Sequence, residues 1–283
     1  MVDGIASQGP EGQRVVARMP AGTPENWIVG RAPEGETDMT YCLGILLPEG
    51  LVLASDSRTN AGVDQIATVR KLAILENPDK AVIALMSAGN LATTQTVVTT
   101  LKQAAGTGTP DRDLFLHNSM FDVAQTVGGL LRRILERDGP YVERFGDPNG
   151  TFLLAGQIRG EPPRLFQVYS AGNFVEATPR NHYLQIGETK YGKPILDRAL
   201  RFDNGLARAA KLALISFDAT IRSNLSVGPP IDVLCYQTDS FSTRNLIKYK
   251  NSDPYFTELK QRYSDGIQAT VDAIPEPRLC PEG

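Results

Sequence analysis

Thr40-Tyr41-Cys42-Leu43-Gly44-Ile45-Leu46-Leu47-Pro48-Glu49-Gly50-Leu51-Val52-Leu53-Ala54-Ser55-Asp56-Ser57-Arg58 reads as two apolar strands joined by a turn. Tyr41–Leu47 and Leu51–Ser55 are the strands, and Pro48-Glu49-Gly50 is the turn signal between them. Paired residue numbers in an antiparallel hairpin have a constant sum, about 98 for a turn centred on Glu49. Thr40 then lies opposite about Arg58, within a residue or two of Asp56. The next strand candidate, Ala67–Leu75, is expected to return along the same sheet and bring Arg70 and Lys71 to that end.

Working outward, a fourth strand is predicted at Ala81–Ser87. The apolar period then changes to that of helices over Leu91–Ala105 and Leu114–Asp138, separated by Gly106-Thr107-Gly108-Thr109-Pro110. Strands return at Thr151–Ile158, Leu165–Ser170 and near Val175. Helices follow at Ile195–Arg201 and Leu206–Ser223, strands at Ile231–Gln237 and Thr243–Tyr249, and a last helix over about Tyr255–Asp272. This order does not alternate strand and helix, which argues against a doubly wound parallel sheet. The expected class is α+β, two antiparallel sheets face to face with helix pairs outside. No linker divides residues 40–283, so one domain is expected there. Residues 1–39 hold ten Gly or Pro and no lasting apolar period, so they read as a disordered extension, a misassigned start or a propeptide.

A threonine, an aspartate and a lysine brought together this way point to one chemistry. A threonine hydroxyl is a poor nucleophile without a base. The free α-amine of the same residue, with a reference pKa of about 7.7–8.0, can act as that base through a water. A neighbouring Lys71 ammonium would lower it further, and Asp56 would hold Lys71 in place. This requires Thr40 to be the N-terminus. Ser87-Ala88-Gly89-Asn90 sits between a strand and a helix start, where the Gly89 N–H can serve as an oxyanion donor. Taken singly, each of these residues has a commoner structural reading; the mechanism rests on their arrangement.

Composition closes other routes. The chain is 41% hydrophobic and 22% charged, ordinary for a globular protein, and no apolar run nears a membrane span. The net charge of −3 equals that of residues 1–39 alone, so residues 40–283 are formally neutral. A neutral body offers no electrostatic footprint for nucleic acid or an anionic membrane, and favours self-association. Three scattered cysteines (Cys42, Cys235, Cys280) and no secretory signal in the first 39 residues fit a cytoplasmic location. His117 and His182, the only histidines, read as structural or surface residues, which leaves too few ligands for zinc. Cys42 reads as a small core residue. Thr68 and Lys71 would not share a strand face, and Gly106 and Gly108 lack the Gly-Lys of a phosphate loop.

Thr40–Gly44, Ala54–Gly62 and Val69-Arg70-Lys71 resemble the start of a proteasome β subunit. Ser57–Asp64, Ala88–Gln95 and Ile186–Pro194 are similar to the bacterial proteasome homologue family called Anbu, and the resemblance covers residues 40–275. It implies the four-layer αββα sandwich of N-terminal nucleophile hydrolases and peptide hydrolysis through an acyl-enzyme on Thr40. It places the catalytic acid at Asp56, the lysine at Lys71 and the oxyanion glycine at Gly89. Asn60 backbone groups would pair with an extended substrate, and Leu91 would help form an apolar specificity pocket. No cofactor or metal is implied. The partners implied are a peptide or unfolded-protein substrate, further copies of the chain in an open or spiral ring, and an ATPase of unspecified kind.

The sequence departs from the proteasome pattern in three places. Gly187-Glu188-Thr189 replaces a Ser-Gly segment, and Ser223-Asn224-Leu225-Ser226 replaces an Asp-x-x-Ser segment, keeping Ser226 but placing Ser223 where the acid belongs. Glu188 is a candidate for the missing carboxylate. Met39 precedes Thr40 where a Gly is usual, so translation is expected to start at Met39, with an aminopeptidase exposing Thr40. Two other readings share these residues: a non-catalytic or weakly catalytic scaffold, and a small-molecule amidohydrolase.

Overall fold

A computed structural model describes residues 40–60, 66–78 and 80–277. The expectations for residues 1–39 lie outside these, as do Gly62, Val63, Asp64 and Cys280. The elements run β1 Tyr41–Leu47, β2 Gly50–Asp56, β3 Arg58–Asn60, β4 Ile66–Thr68, β5 Leu72–Asn77, β6 Ala81–Gly89, α1 Leu91–Ala104 and α2 Met120–Val142. They continue with β7 Gly150–Ile158, β8 Arg164–Val168, β9 Phe174–Glu176, β10 Tyr183–Gly187, α3 Lys193–Ala199, α4 Leu206–Ser223, β11 Ile231–Gln237, β12 Leu246–Tyr249 and α5 Pro254–Ala273.

Strand alternation builds three apolar layers. Tyr41, Leu43, Ile45 and Leu47 of β1 face a core shared with Leu214 and Phe217 of α4 and Phe256 of α5. Cys42 points the other way, into a core between the sheets with Leu53, Met86 and Leu153. Ile83 and Leu85 of β6, with Phe152 and Leu154 of β7, face a third core under α1 and α2. Period-2 strands buried on both faces thus make two helical layers sandwich two sheets. Each fully buried Leu or Phe contributes about 1.5–3 kcal/mol of apolar transfer. One sheet has the order β10-β1-β2-β11-β12, the other β5-β6-β7-β8-β9, and β3-β4 form a small separate pair. Neighbouring strands are antiparallel throughout the two large sheets. The expected α+β class and two-sheet sandwich therefore hold.

The structure corrects several expectations. Leu47 pairs with Gly50 and Cys42 with Ser55, so paired numbers sum to 97, a two-residue turn at Pro48-Glu49. Ala67–Leu75 is not one strand: β4 belongs to the small pair and β5 to the other large sheet, so Lys71 is not carried along the sheet that holds Thr40. The charged Arg70-Lys71 step marks the break, where the chain crosses from one sheet to the other. Leu114–Leu116 is a short 3-10 turn separate from α2, whose N-cap Ser119 accepts a bond from Asp122 N at 3.1 Å. β10 has no counterpart in the expected elements. Its only strongly apolar residues are Leu184 and Ile186, and as an edge strand it gains its identity from pairing with β1.

Candidate active site

Thr40 immediately precedes β1 and is 3% exposed; Asp56 ends β2 and is 0% exposed. The Thr40 hydroxyl donates to Asp56 Oδ1 at 2.7 Å, and Tyr41 N donates to the same oxygen at 3.1 Å. The Lys71 ammonium donates to Asp56 Oδ1 at 2.8 Å and to the Arg58 carbonyl at 2.5 Å. The other carboxylate oxygen accepts from Arg58 N at 3.2 Å and Gly228 N at 3.3 Å. Five donors converge on one buried carboxylate, which locks it in position between hydroxyl and ammonium. The proximity of Thr40, Asp56 and Lys71 is real although the route expected for Lys71 was not.

Arg70 has its own anchor. Its Nε lies 3.4 Å from Oδ2 of Asp232, a β11 carboxylate that is 1% exposed, while Lys248 Nζ lies 3.9 Å from Oδ1. Asp232 pairs across the sheet with Ser55, next to Asp56. The irregular stretch that delivers Lys71 is thus pinned from both sides. Sequence reading missed this partner, because nothing local links residue 70 to residue 232.

Gly89 ends β6, and Asn90 caps α1 by accepting from Thr93 N at 3.1 Å. Gly89 has φ +98°, and a Cβ there would stand 2.4 Å from the Asn149 carbonyl, so only glycine fits. Gly89 and Gly187 line an open cleft of about 360 Å³ between the two sheets, together with Asn149, Gln185 and Thr189. Gly187 pairs with Tyr41 across β10 and β1, and Glu188 N donates to the Thr40 carbonyl at 2.6 Å. Leu91 is half-buried at the first turn of α1, and Asn60 closes β3, paired with Ile66.

Two of the three departures from the proteasome pattern meet each other. Glu188 is 4% exposed, and its carboxylate accepts from Asn224 Nδ2 at 3.1 Å with Lys190 Nζ at 3.9 Å. Asn224, the C-cap of α4, in turn accepts from Ser226 N at 2.9 Å. Ser226 is half-buried on the loop whose Gly228 reaches Asp56, whereas Ser223 is exposed on the last turn of α4. Ser226 was named from the sequence through the family's Asp-x-x-Ser segment; the Asn224 link between the loops was not.

Burial raises the Cys42 thiol far above its ordinary range, despite the lowering influence of Lys71, and its Sγ donates to the Ser87 carbonyl at 3.7 Å. A thiol held protonated is no competing nucleophile. His117 shares a hydrogen bond with Thr126 on α2, and His182 packs against Tyr183 and Phe202.

Two antiparallel sheets between helical layers, with a threonine at the entrance of β1 hydrogen-bonded to an aspartate–lysine pair, define the proteasome-like class. No protein-family model and no curated protein sequence matches the chain. Among solved structures, Anbu (ancestral beta-subunit) from Yersinia bercovieri is 44% identical, with a TM-score of 0.80, 86% of this chain covered and 100% of that one. An Anbu (Gly-1) mutant from Hyphomicrobium sp. strain MC1 is also 44% identical, with a TM-score of 0.78, 85% of this chain covered and 100% of that one. The helical assembly of the Anbu complex from Pseudomonas aeruginosa is 42% identical, with a TM-score of 0.80, 85% of this chain covered and 99% of that one. The chain belongs to the Anbu family. No helix among the described residues is long and apolar enough to cross a membrane.

Proposed function

We propose that the chain is a self-assembling, cytoplasmic N-terminal-threonine peptidase that cleaves peptide bonds through an acyl-enzyme on Thr40, once the residues before Thr40 are removed. The observation that carries this reading is the Thr40 hydroxyl and Lys71 ammonium sharing one buried Asp56 oxygen, at 2.7 and 2.8 Å. With residue 39 attached, the Thr40 nitrogen is an amide and cannot take a proton. Freed, it becomes an amine that accepts the hydroxyl proton through a water as Oγ1 attacks the scissile carbonyl. The oxyanion is received by the Gly89 N–H, the leaving amine takes the proton, and water then hydrolyses the Thr40 ester. An extended peptide adds as a strand along Asn60 and places an apolar side chain near Leu91. Copies of the chain assemble into an open or spiral ring; the helical assembly of the Pseudomonas aeruginosa relative supports this. The substrate is a peptide or unfolded segment, which an ATPase partner would deliver.

The test is incubation of protein beginning at Thr40 with an epoxyketone. The expected result is a mass shift mapped to Thr40 and absent from Thr40→Ala. A mature, folded protein that stays unlabelled overturns the reading. It would favour a scaffold, for which the exposed Ser223 speaks, since no acid occupies the place of the family's second aspartate.

A further inference from the structure

Asp232 breaks the pattern of the strand that carries it. β11 opens Ile231-Asp232-Val233-Leu234, and all four residues are buried. Ile231 and Val233 face the core beneath α4, while Leu234 faces the core between the sheets. Strand alternation turns Asp232 into that same layer between the sheets, beside Ser55, its partner on β2. A carboxylate buried there is costly, and a valine would fill the layer without that cost. Neither of its oxygens accepts a hydrogen bond among the described residues, and the buried Ser55 and Ser57 hydroxyls make none either. A local rule broken inside an otherwise consistent strand is the mark of a functional or strained position.

Two cations hold the charge. Arg70 Nε lies 3.4 Å from Oδ2, and Lys248 Nζ lies 3.9 Å from Oδ1. Lys248 stands opposite Asp232 on β12, within the same sheet. Arg70 does not belong to that sheet. It is the middle residue of 69–71, the stretch between β4 and β5 where the chain crosses into the second sheet. On one side of it, Val69 N donates to the Ser57 carbonyl at 2.9 Å; on the other, Leu72 opens β5 opposite Met86. Between those ties, the ion pair to Asp232 fastens the middle of the stretch. The next residue is Lys71, whose ammonium reaches Asp56 Oδ1 at 2.8 Å.

We infer that Asp232 is a positioning residue for the Thr40 site: through Arg70 it holds residues 69–71 so that Lys71 stays on Asp56 and beside Thr40. This rests on the threonine-peptidase reading above and adds a residue to it. The charged groups on the elements flanking Thr40 are Asp56, Arg58, Lys71 and Glu188; those facing Asp232 are Arg70 and Lys248. Losing Asp232 acts on the freed Thr40 amine in two opposed ways. It leaves the Arg70 charge uncompensated, which disfavours the protonated amine, and it loosens Lys71, which favours it. The Arg70 side chain is 52% exposed and screened by water, whereas that of Lys71 is 8% exposed and lies at the site itself. The loosening of Lys71 is therefore the larger effect, and the amine holds its proton to higher pH.

The pH profile of epoxyketone labelling, on protein beginning at Thr40 and with thermal unfolding measured alongside, tests this. Asp232→Asn is expected to slow labelling near neutral pH about tenfold and to raise the midpoint by about half a pH unit or more. Arg70→Gln is expected to shift the midpoint the same way. The double variant is expected to go no further than Asp232→Asn, since both changes act through one contact. Arg70→Lys keeps a cation and is expected to retain most of the wild-type profile. A loss of stability in Asp232→Asn with an unmoved midpoint overturns the inference and leaves Asp232 a structural residue. Where Asp232→Asn does not fold, Arg70→Gln decides, because its side chain is half exposed, and an unmoved midpoint there overturns the inference equally. Shifts that add in the double variant overturn the route through Arg70. Wild-type protein that stays unlabelled at every pH overturns the peptidase reading, and this inference with it.

Discussion

Asp56 is the residue on which the site turns, because it holds the hydroxyl of Thr40 and the ammonium of Lys71 on a single oxygen. Replacing it by Asn removes the charge that holds both, and Lys71→Met removes the cation that, on the proposed mechanism, would favour the deprotonated form of the freed amine. Each is expected to slow epoxyketone labelling about 10²–10⁴-fold with the fold intact. In the unaltered protein, labelling should rise with pH as the Thr40 amine loses its proton. The midpoint should fall below the reference of about 7.7–8.0, since the nearby Lys71 charge disfavours the protonated amine. Labelling rates of the three proteins across a pH series check this. Thr40 and Asp56 were legible because each is a chemically distinctive residue near a strand end, and Lys71 because it is a cation in a strand candidate expected to return to that end. The Asp232 anchor of Arg70 was not, since an aspartate inside an apolar run carries no local sign of its partner.

At the scale of elements, the β10–β1 edge decides how Thr40 is held, because Glu188 N at the end of β10 donates to the Thr40 carbonyl. Gly187 has φ +80°, and a Cβ there would lie 1.9 Å from the Thr40 carbonyl oxygen. Gly187→Ala is therefore expected to cost at least about 1–2 kcal/mol in backbone strain alone, and to displace Thr40 from Asp56. Thermal unfolding should show the destabilisation, and labelling of the folded protein should fall with it. A variant with wild-type stability and labelling would contradict that placement. β10 escaped the sequence because Leu184 and Ile186 are too short a run to separate from loop; its partner β1 makes it a strand. β1, β2, α4 and β11, by contrast, were legible almost to the residue, since their apolar periods are long and bounded by turn or cap residues.

For the whole molecule, the three stacked cores mean that the site forms only when both sheets are in place. Gly89 comes from one sheet and Gly187 from the other, and the cleft exists between them. On the proposed mechanism, the segment before Thr40 is the switch on the chemistry. Protein retaining any residue before Thr40 is expected to stay unlabelled while assembled and folded, and protein beginning at Thr40 to be labelled. Intact mass of both forms after the same electrophile treatment distinguishes them; labelling of the longer form would refute the role of the free amine.

By itself, the sequence determined an α+β chain of antiparallel strands and most of its helices, and it singled out the threonine, aspartate and lysine. These follow from side-chain period and residue chemistry, which are local, and the resemblance to a known family supplied the class. Only the tertiary structure decided how Lys71 arrives, that Glu188 meets Asn224, that β10 completes the edge beside Thr40, and that the far half of α5 stands clear of the body. Each of those joins residues far apart in the chain or depends on what a surface lacks, and such pairings are selected by the packing of all layers together.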